Sequence, residues 1–287
     1  AIGYGALDAT NSTDALGSIG IGHAALGSMN SGIGNVAIGY AALGTEDSGD
    51  YNTAIGHQAL SNQNRDGTVN NTAVGYHAGL DVTTAYGATL IGSLAGHNIT
   101  EGIENTIIGN SAGATLTTGD YNTALGVQAL ATEDVGRGTT AIGYQTLYSQ
   151  NSDSNDEVTY NTALGYKAGY SLTTAQKDTY IGYQAGDNAS TLGNSIGIGY
   201  QSLGGATGSL LTGANATVAI GYQAAGNLDG NRGNGVYIGY LAGLHSQGGG
   251  VAIGYRAMEH SSGSYSNKNV AIGTQAMQNI TQDNSEH

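Results

Sequence analysis

The chain has 287 residues, of which 50 are Gly, and it contains no Pro, Cys, Trp or Phe. Its 7 basic and 21 acidic residues give a formal charge of −14, which excludes the clustered Lys and Arg of nucleic-acid or anionic-membrane surfaces. Without Cys there is no disulfide framework, and no apolar run reaches the length of a membrane span. We therefore expect neither nucleic-acid binding nor direct membrane insertion.

A short motif built around one glycine recurs along the whole chain, most often every 17 residues. The residue before this motif glycine is always Ile, Leu or Val, and the residue after it is usually Tyr. Repeats of this length are typical of solenoids, in which insertions lengthen individual coils. We expect residues 1–287 to form a single array of about 16 coils, and the opening in mid-repeat predicts a fragment of a longer fibre. The motif glycines are Gly3, Gly22, Gly39, Gly56, Gly75, Gly92, Gly109, Gly126, Gly143, Gly165, Gly182, Gly199, Gly221, Gly239, Gly254 and Gly273.

The residues just before each motif glycine are predicted to form a short strand. In the copy at Asn52–Leu60, the larger residues Thr53 and Ile55 alternate with the small Ala54. This period of two is typical of a strand, and the recurrent Gly disfavours a helix. The remainder of each copy is rich in Gly, Asn, Asp, Ser and Thr, which favour turns. The pattern predicts an all-β fold, a parallel β-solenoid with one such strand in every coil.

Stacking the coils places the aliphatic residues that precede the motif glycines in one row, with neighbours about 4.8 Å apart. We call this row, which begins at Ile2, the Ile row, and we predict that it is the structural core ladder of the assembly. Its further members are Ile21, Ile38, Ile55, Val74, Ile91, Ile108, Leu125, Ile142, Leu164, Ile181, Ile198, Ile220, Ile238, Ile253 and Ile272.

The sequence pattern is compatible with two arrangements, in which either the Ala and Gly face or the Ile row lies inside the coil. If the Ala and Gly face lines a flat coil, the Ile row lies outside and requires a partner surface, since a long apolar stripe is not tolerated on a soluble monomer. The simplest closed partner is the same row of symmetry mates, which predicts a homotrimer, with chains side by side or intertwined. In the other arrangement the Ile row fills a monomeric solenoid. Small residues usually mark close approach of backbones, which favours the first arrangement.

The motif resembles repeats of known surface fibres. Val36–Gly39 and Asn269–Gly273 resemble the head repeats of trimeric autotransporter adhesins, and Asn161–Gly169 is similar to repeats of phage tail fibres. The resemblance implies a left-handed parallel β-roll in which three chains share a core. It also implies an extracellular location, on a virion or a bacterial surface, and attachment to a host or cell-surface receptor that could be a glycan.

These observations predict a structural and adhesive fibre, most specifically the shaft or head of a phage tail fibre, and not an enzyme. The alternative is the head of a bacterial trimeric adhesin or another extracellular filament. The sequence favours an ice-binding or polysaccharide-degrading solenoid less than either of these two functions.

Two further rows accompany the Ile row. Tyr or His follows most motif glycines, and His23 and His57 are predicted to be members of this ring row and not metal ligands. Such rings either pack at a seam between subunits, which we favour, or stack on sugars. A Thr row runs from Thr53 to Thr179 two residues before the Ile row, where other copies have Val. A buried strand position explains this exchange better than an ice-binding face does.

Several segments carry residues that could form sites. The acidic turns that contain Glu46 and Glu133 would suit Ca²⁺, but we expect solvated turns and no cofactor. Ser111 lies in a Gly-x-Ser-x-Gly sequence that is simply one copy of the repeat, so no catalytic residue is predicted. The longer excursions Tyr148 to Tyr160 and Gly204 to Thr217 are the candidates for receptor contacts.

Overall fold

The predicted all-β parallel solenoid is confirmed by a computed structural model of the chain. The described residues contain strands and turns and no helix. They fall into two compact units, one comprising Ala1–Ile142 with Asn151–Val158 and the other Gly143–Gln150 with Thr159–His287. The description covers residues 1–9, 16–154, 157–187, 191, 193–204, 216–228, 234–246, 249–260 and 269–279.

The first unit contains a parallel sheet with the order β1-β2-β4-β6-β7-β8-β9-β10 and a separate two-stranded ribbon of β3 and β5. Neighbouring strands pair in register, so that Ala37 lies opposite Ala54 and Ile38 opposite Ile55. The strands are β1 Ile19–Ile21, β2 Val36–Ile38, β3 Gly49–Asp50, β4 Thr53–Ile55, β5 Gly67–Thr68, β6 Thr72–Val74, β7 Thr89–Ile91, β8 Thr106–Ile108, β9 Thr123–Leu125 and β10 Thr140–Ile142.

The second unit repeats the arrangement with a parallel sheet in chain order from β11 to β17. Its strands are β11 Thr162–Leu164, β12 Thr179–Ile181, β13 Ile196–Ile198, β14 Val218–Ile220, β15 Val236–Ile238, β16 Val251–Ile253 and β17 Val270–Ile272. Fifteen of the sixteen motif glycines therefore follow a strand. The first, Gly3, follows only an isolated bridge between Ile2 and Ile21, so the number of complete coils is slightly smaller than predicted.

The motif glycines are required by their backbone conformation and by the approach of the next coil. Gly92 and Gly254 have φ angles of +131° and +135°, in a region that side chains disfavour. A Cβ atom on Gly92 would lie 2.6 Å from the carbonyl oxygen of Gly109, and one on Gly254 would lie 2.5 Å from that of Gly273. Any side chain at these positions would push neighbouring coils apart.

Many coils have Ala and Leu side chains in their interior. The inward Ala agrees with the flat arrangement, whereas the buried Leu of the turn was not predicted. In the coil of β4, the side chains of Ala54, Ala59 and Leu60 are fully buried, whereas Ile55 is 37% exposed. The Ile row is more exposed than the strand centres in the other coils too, so the alternative arrangement with the Ile row inside the coil is wrong. Leu60 reaches the interior from a left-handed turn with φ of 50°.

Coils that carry a large residue at the strand centre compensate with Gly in this turn. Tyr180 and Tyr237 replace the central Ala and are fully buried. The corresponding turn positions are Gly186 and Gly243, where a Cβ atom would overlap the Tyr ring of the same coil. The volume inside the solenoid is thus shared between two positions of the motif.

Candidate interaction surface

The outward side chains of the strands form a surface of three parallel rows, which we call the outer face. In the coil of β14 these side chains are Val218, Ile220 and Tyr222, which stand three before, one before and one after the motif glycine. Equivalent residues of neighbouring coils lie opposite each other because the strands pair in register. The outer face is the part of each unit that presents a regular apolar surface.

The Ile row lies on the outer face in both units and is outside the core of its own chain. Its members are partly covered by their neighbours above and below, and Ile55, Ile91, Leu125 and Leu164 are 37–45% exposed. Complete burial of such a side chain is worth roughly 1.5–3 kcal/mol, so covering the remaining exposed part adds roughly 0.5–1 kcal/mol for each residue.

The Thr row lies beside the Ile row and changes character along the chain. Six coils of the first unit carry Thr, from Thr53 to Thr140, and these hydroxyls make no hydrogen bond to any described residue. The second unit begins with Thr162 and Thr179 and continues with Ile196 and Val at the later positions. The outer face is therefore more apolar in the later coils of the second unit.

In the first unit the ring row alternates Tyr and His from Tyr4 to Tyr76. Tyr40 stacks on His23 and His57 with centroid distances of 5.1 and 5.0 Å, so the predicted membership of both histidines is confirmed. Tyr76 continues the row and stacks on His77 of the adjoining turn at 3.7 Å. Burial, with smaller effects of His57 and a further histidine, lowers the pKa of His77, which favours its neutral form.

The ring row of the second unit consists of seven stacked tyrosines, which we call the tyrosine stack. Neighbouring centroids are 5.0–5.3 Å apart and the ring planes differ by 5–13°. Because each inner ring is covered on both faces by its neighbours, a sugar cannot stack on it, and only ring edges and hydroxyls are open. The stack contains Tyr144, Tyr166, Tyr183, Tyr200, Tyr222, Tyr240 and Tyr255.

The prediction that the acidic turns are solvated is wrong for their glutamates. Glu46 and Glu133 are fully buried, while Asp47 beside the first is exposed. The Glu46 carboxylate accepts hydrogen bonds from the backbone of Gly49 at 2.7 Å and from the side chain of Gln63 at 2.8 Å. Glu133 likewise accepts hydrogen bonds from Gly136 of its own turn and from Ser152 of the next coil. Each carboxylate therefore joins its turn to the next coil, since buried oxygens require hydrogen-bond donors.

A column of buried Asn side chains connects successive coils, a role that the sequence did not reveal. Asn52 Oδ1 accepts the backbone N–H of Asn71 at 3.0 Å, and Asn122 Oδ1 accepts that of Thr139 at 2.9 Å. Asn122 Nδ2 donates to the carbonyl of Gly136 at 2.9 Å. The signal was present in the recurrent Asn-Thr-Ala, where Asn directly precedes strands such as β4 and β9.

Asp178 occupies the position of these asparagines in the coil of β12. Its Oδ1 accepts the backbone N–H of Ser195 at 2.7 Å, while Oδ2 and the nearby hydroxyl of Tyr180 are buried without a hydrogen bond of good geometry in the described part. Burial is the largest effect and raises the pKa of Asp178 to about 7. This coil therefore contains a carboxyl group that titrates near neutral pH.

The remaining candidates are Ser111 and the two longer excursions. Ser111 lies in a left-handed turn, with Oγ donating to the side chain of its neighbour Asn110 at 3.3 Å. In the excursion from Tyr148, Ser152 is buried and its Oγ donates to Glu133 at 3.1 Å, so this part is anchored to the solenoid. Most of the excursion from Gly204 lies outside the described residues, which end at 204 and resume at 216.

Comparison of the chain with protein-family models, curated proteins and solved structures gives no significant match. The resemblance to adhesin and tail-fibre repeats therefore remains a prediction. Across the described ranges, no helix could cross a membrane, and no three His, Asp or Glu side chains are grouped to hold a metal ion.

Proposed function

We propose that the chain is a subunit of a structural and adhesive extracellular fibre in which three parallel copies share a core made by their Ile rows. The observation that carries this proposal is the position of the Ile row on the outer face. The coil interior is already filled by residues such as Ala54 and Leu60, so the row has no partner in its own coil. An aliphatic row that recurs in every coil is expected to be covered by another surface.

The energy available from the Ile row is moderate. The first unit contributes the eight aliphatic residues from Ile21 to Ile142, and their remaining burial is worth about 4–8 kcal/mol per chain. Association costs at least about 4 kcal/mol in lost translational and rotational freedom. The Thr row, the ring row and the second unit must therefore also contribute to the free energy of association. A stable assembly therefore requires contact along many coils, which suits a fibre.

Parallel association around an axis along the stack preserves the register of every coil. Each Ile then contacts the equivalent Ile of the other chains. Because the symmetry is closed, the Ile row of every chain is covered by the others. The resemblance to known trimeric fibres supports three chains over two. The Tyr hydroxyls would lie at the rim of such a core, where they remain in contact with water.

The proposed parent is a phage tail fibre that attaches to a receptor on the host surface, which could be a glycan. The full Asn-Thr-Ala-Leu-Gly-Tyr form at Asn161–Gly169 supports this parent. A bacterial adhesin head or another extracellular filament is the alternative. Flanking sequence distinguishes them, since a coiled-coil stalk and membrane anchor belong to the adhesin, whereas a virion-attachment domain belongs to the phage.

Absolute mass measured by light scattering after size exclusion tests the assembly. The expected mass is three times that of the 28.7 kDa chain. Ile198→Lys combined with Ile220→Lys places charges on the outer face and is expected to yield a monomer with an unchanged circular dichroism spectrum. Asn64→Lys combined with Asn151→Lys adds the same two positive charges at exposed positions and should remain a trimer. A wild-type monomer at every concentration would refute the shared core.

Ice binding is a second candidate because the Thr row of the first unit is regular and its hydroxyls face outward. Both functions require the same face, so they exclude each other in one assembly. A monomer that arrests ice growth, and loses this activity when Thr106 is replaced by Lys, would favour ice binding. A trimer without such activity supports the fibre.

A further inference from the structure

The tyrosine stack of the second unit has a geometry that bears on covalent chemistry. The rings of Tyr183, Tyr200 and Tyr222 are parallel within 6°, and successive centroids are 5.0 Å apart. We propose that the tyrosine stack is a site of oxidative modification, at which neighbouring tyrosines couple to dityrosine under a peroxidase-type oxidant that consumes hydrogen peroxide.

Each tyrosine of the stack is accessible from one side. The seven side chains are 41–47% exposed, although neighbouring rings cover their faces. The exposed part allows a phenol to lose its proton to water when an oxidant removes an electron. Contact between successive rings allows the radical to move along the stack, so that two radicals can meet on neighbouring residues.

The coupling balances as follows. Two phenols each lose one electron and one proton, and the two phenoxyl radicals form a carbon–carbon bond between their ortho carbons. The two ortho hydrogens then move as protons to the oxygens, which restores both aromatic rings. Hydrogen peroxide takes up the two electrons and two protons and becomes two molecules of water, so each link removes two hydrogen atoms from the protein.

The fold holds neighbouring tyrosines within reach of this bond. Parallel pairing in register keeps equivalent residues of adjacent strands about 4.8 Å apart, as for the strands before Tyr222 and Tyr240. Coupling requires the two rings to turn about their Cβ–Cγ bonds until their ortho edges face each other. The exposed side of the row leaves room for this rotation.

The first unit contains a natural contrast to the tyrosine stack. There His23 and His57 separate Tyr4, Tyr40 and Tyr76, so successive tyrosines of the row are two coils apart. Two coils correspond to about 10 Å, which is too far for a direct bond. The modification is therefore specific to the second unit, where each link would join two adjacent coils covalently.

The full chain is treated at low concentration with a peroxidase and hydrogen peroxide, and the products are measured by dityrosine fluorescence and mass spectrometry of cross-linked peptides. We expect links between neighbours of the tyrosine stack, two hydrogen atoms lost per link, and the mass of one chain on denaturing electrophoresis. Absence of dityrosine, or links of the first-unit row as abundant as those of the second, would overturn the proposal.

A matched variant imposes the alternation of the first unit on the second. Tyr166→His, Tyr200→His and Tyr240→His keep the row aromatic but separate its tyrosines, so links within the stack should fall at least tenfold. Tyr148 and Tyr170, which stack outside this row at 5.2 Å, should still couple and report that the oxidant acts on a folded chain. Undiminished links among the remaining stack tyrosines would refute the dependence on adjacency.

Discussion

The sharing of interior volume between strand centre and turn predicts a strong coupling between Tyr237 and Gly243. Tyr237→Ala removes a buried ring and should destabilise the chain by about 3–5 kcal/mol. Gly243→Leu should also destabilise it, by about 3 kcal/mol or more, because the new side chain overlaps the Tyr237 ring. The double variant recreates the Ala and Leu combination of Ala54 and Leu60 and should recover most of the loss.

The two single losses add to about 6–8 kcal/mol. Recovery of most of this sum corresponds to a coupling of about 4 kcal/mol or more, well above the deviation found for independent sites. Backbone strain does not oppose the rescue, since Leu60 adopts φ of 50° where Gly243 has 66°. Guanidinium unfolding followed by circular dichroism measures the effect, and hydrogen exchange of β15 and β16 reports it locally.

Tyr237→Phe is the control for this experiment. It keeps the ring volume and removes only the hydroxyl that accepts a hydrogen bond from Ser246 at 3.3 Å, so it should cost about 1 kcal/mol. Combined with Gly243→Leu it should show no rescue. Additive losses in the Ala and Leu double variant would refute the idea that the two positions share one volume.

Three other predictions concern single positions. Burial raises the pKa of Asp178 from 3.8 in the unfolded chain to about 7 in the folded chain, so ionisation of this group favours the unfolded chain. The free energy of unfolding should therefore be greatest below pH 4 and should fall by about 4 kcal/mol as the pH rises to 7. Asp178→Asn should remove this loss, measured as the difference in unfolding free energy between variant and wild type from pH 4 to 8; a constant difference would contradict it. Asn122→Ala should cost about 2–3 kcal/mol in denaturant unfolding, because the N–H of Thr139 loses its acceptor, whereas Asn110→Ala at an exposed position should be neutral. Gly109→Ala should lower the melting temperature by several degrees and increase hydrogen exchange in β8 and β9, and unchanged exchange there would contradict the account of close coil approach.

Local sequence patterns were sufficient for the strands and the rows of the outer face. The alternation of Thr53, Ala54 and Ile55 assigns each side chain to one face, because successive residues of a strand point in opposite directions. Recurrence of Gly beside Ala indicated the face on which backbones approach closely. These features repeat every coil, so each copy reinforces the prediction made from the others.

The burial of polar side chains in the turns, and the hydrogen-bond partners of these side chains, could not be predicted from local sequence patterns. Glu46 has the surroundings of an exposed turn in sequence, yet it is buried because the turn folds back over its carboxylate. The Asn52 amide was visible in the motif, but its partner Asn71 belongs to the next coil, 19 residues away. Both outcomes depend on the path of neighbouring coils, which local spacing does not specify.

The sequence by itself determined the repeat and the parallel β-solenoid, because these follow from the period of two and from the motif glycines, and it favoured an outward Ile row, which the structure then decided. Only the tertiary structure decided which polar groups are buried, how Tyr237 and Gly243 divide one interior volume, and that the tyrosine rings cover each other's faces. The physical reason is that these properties arise from three-dimensional contacts within and between coils, whereas the sequence pattern specifies only the order of residues along each coil.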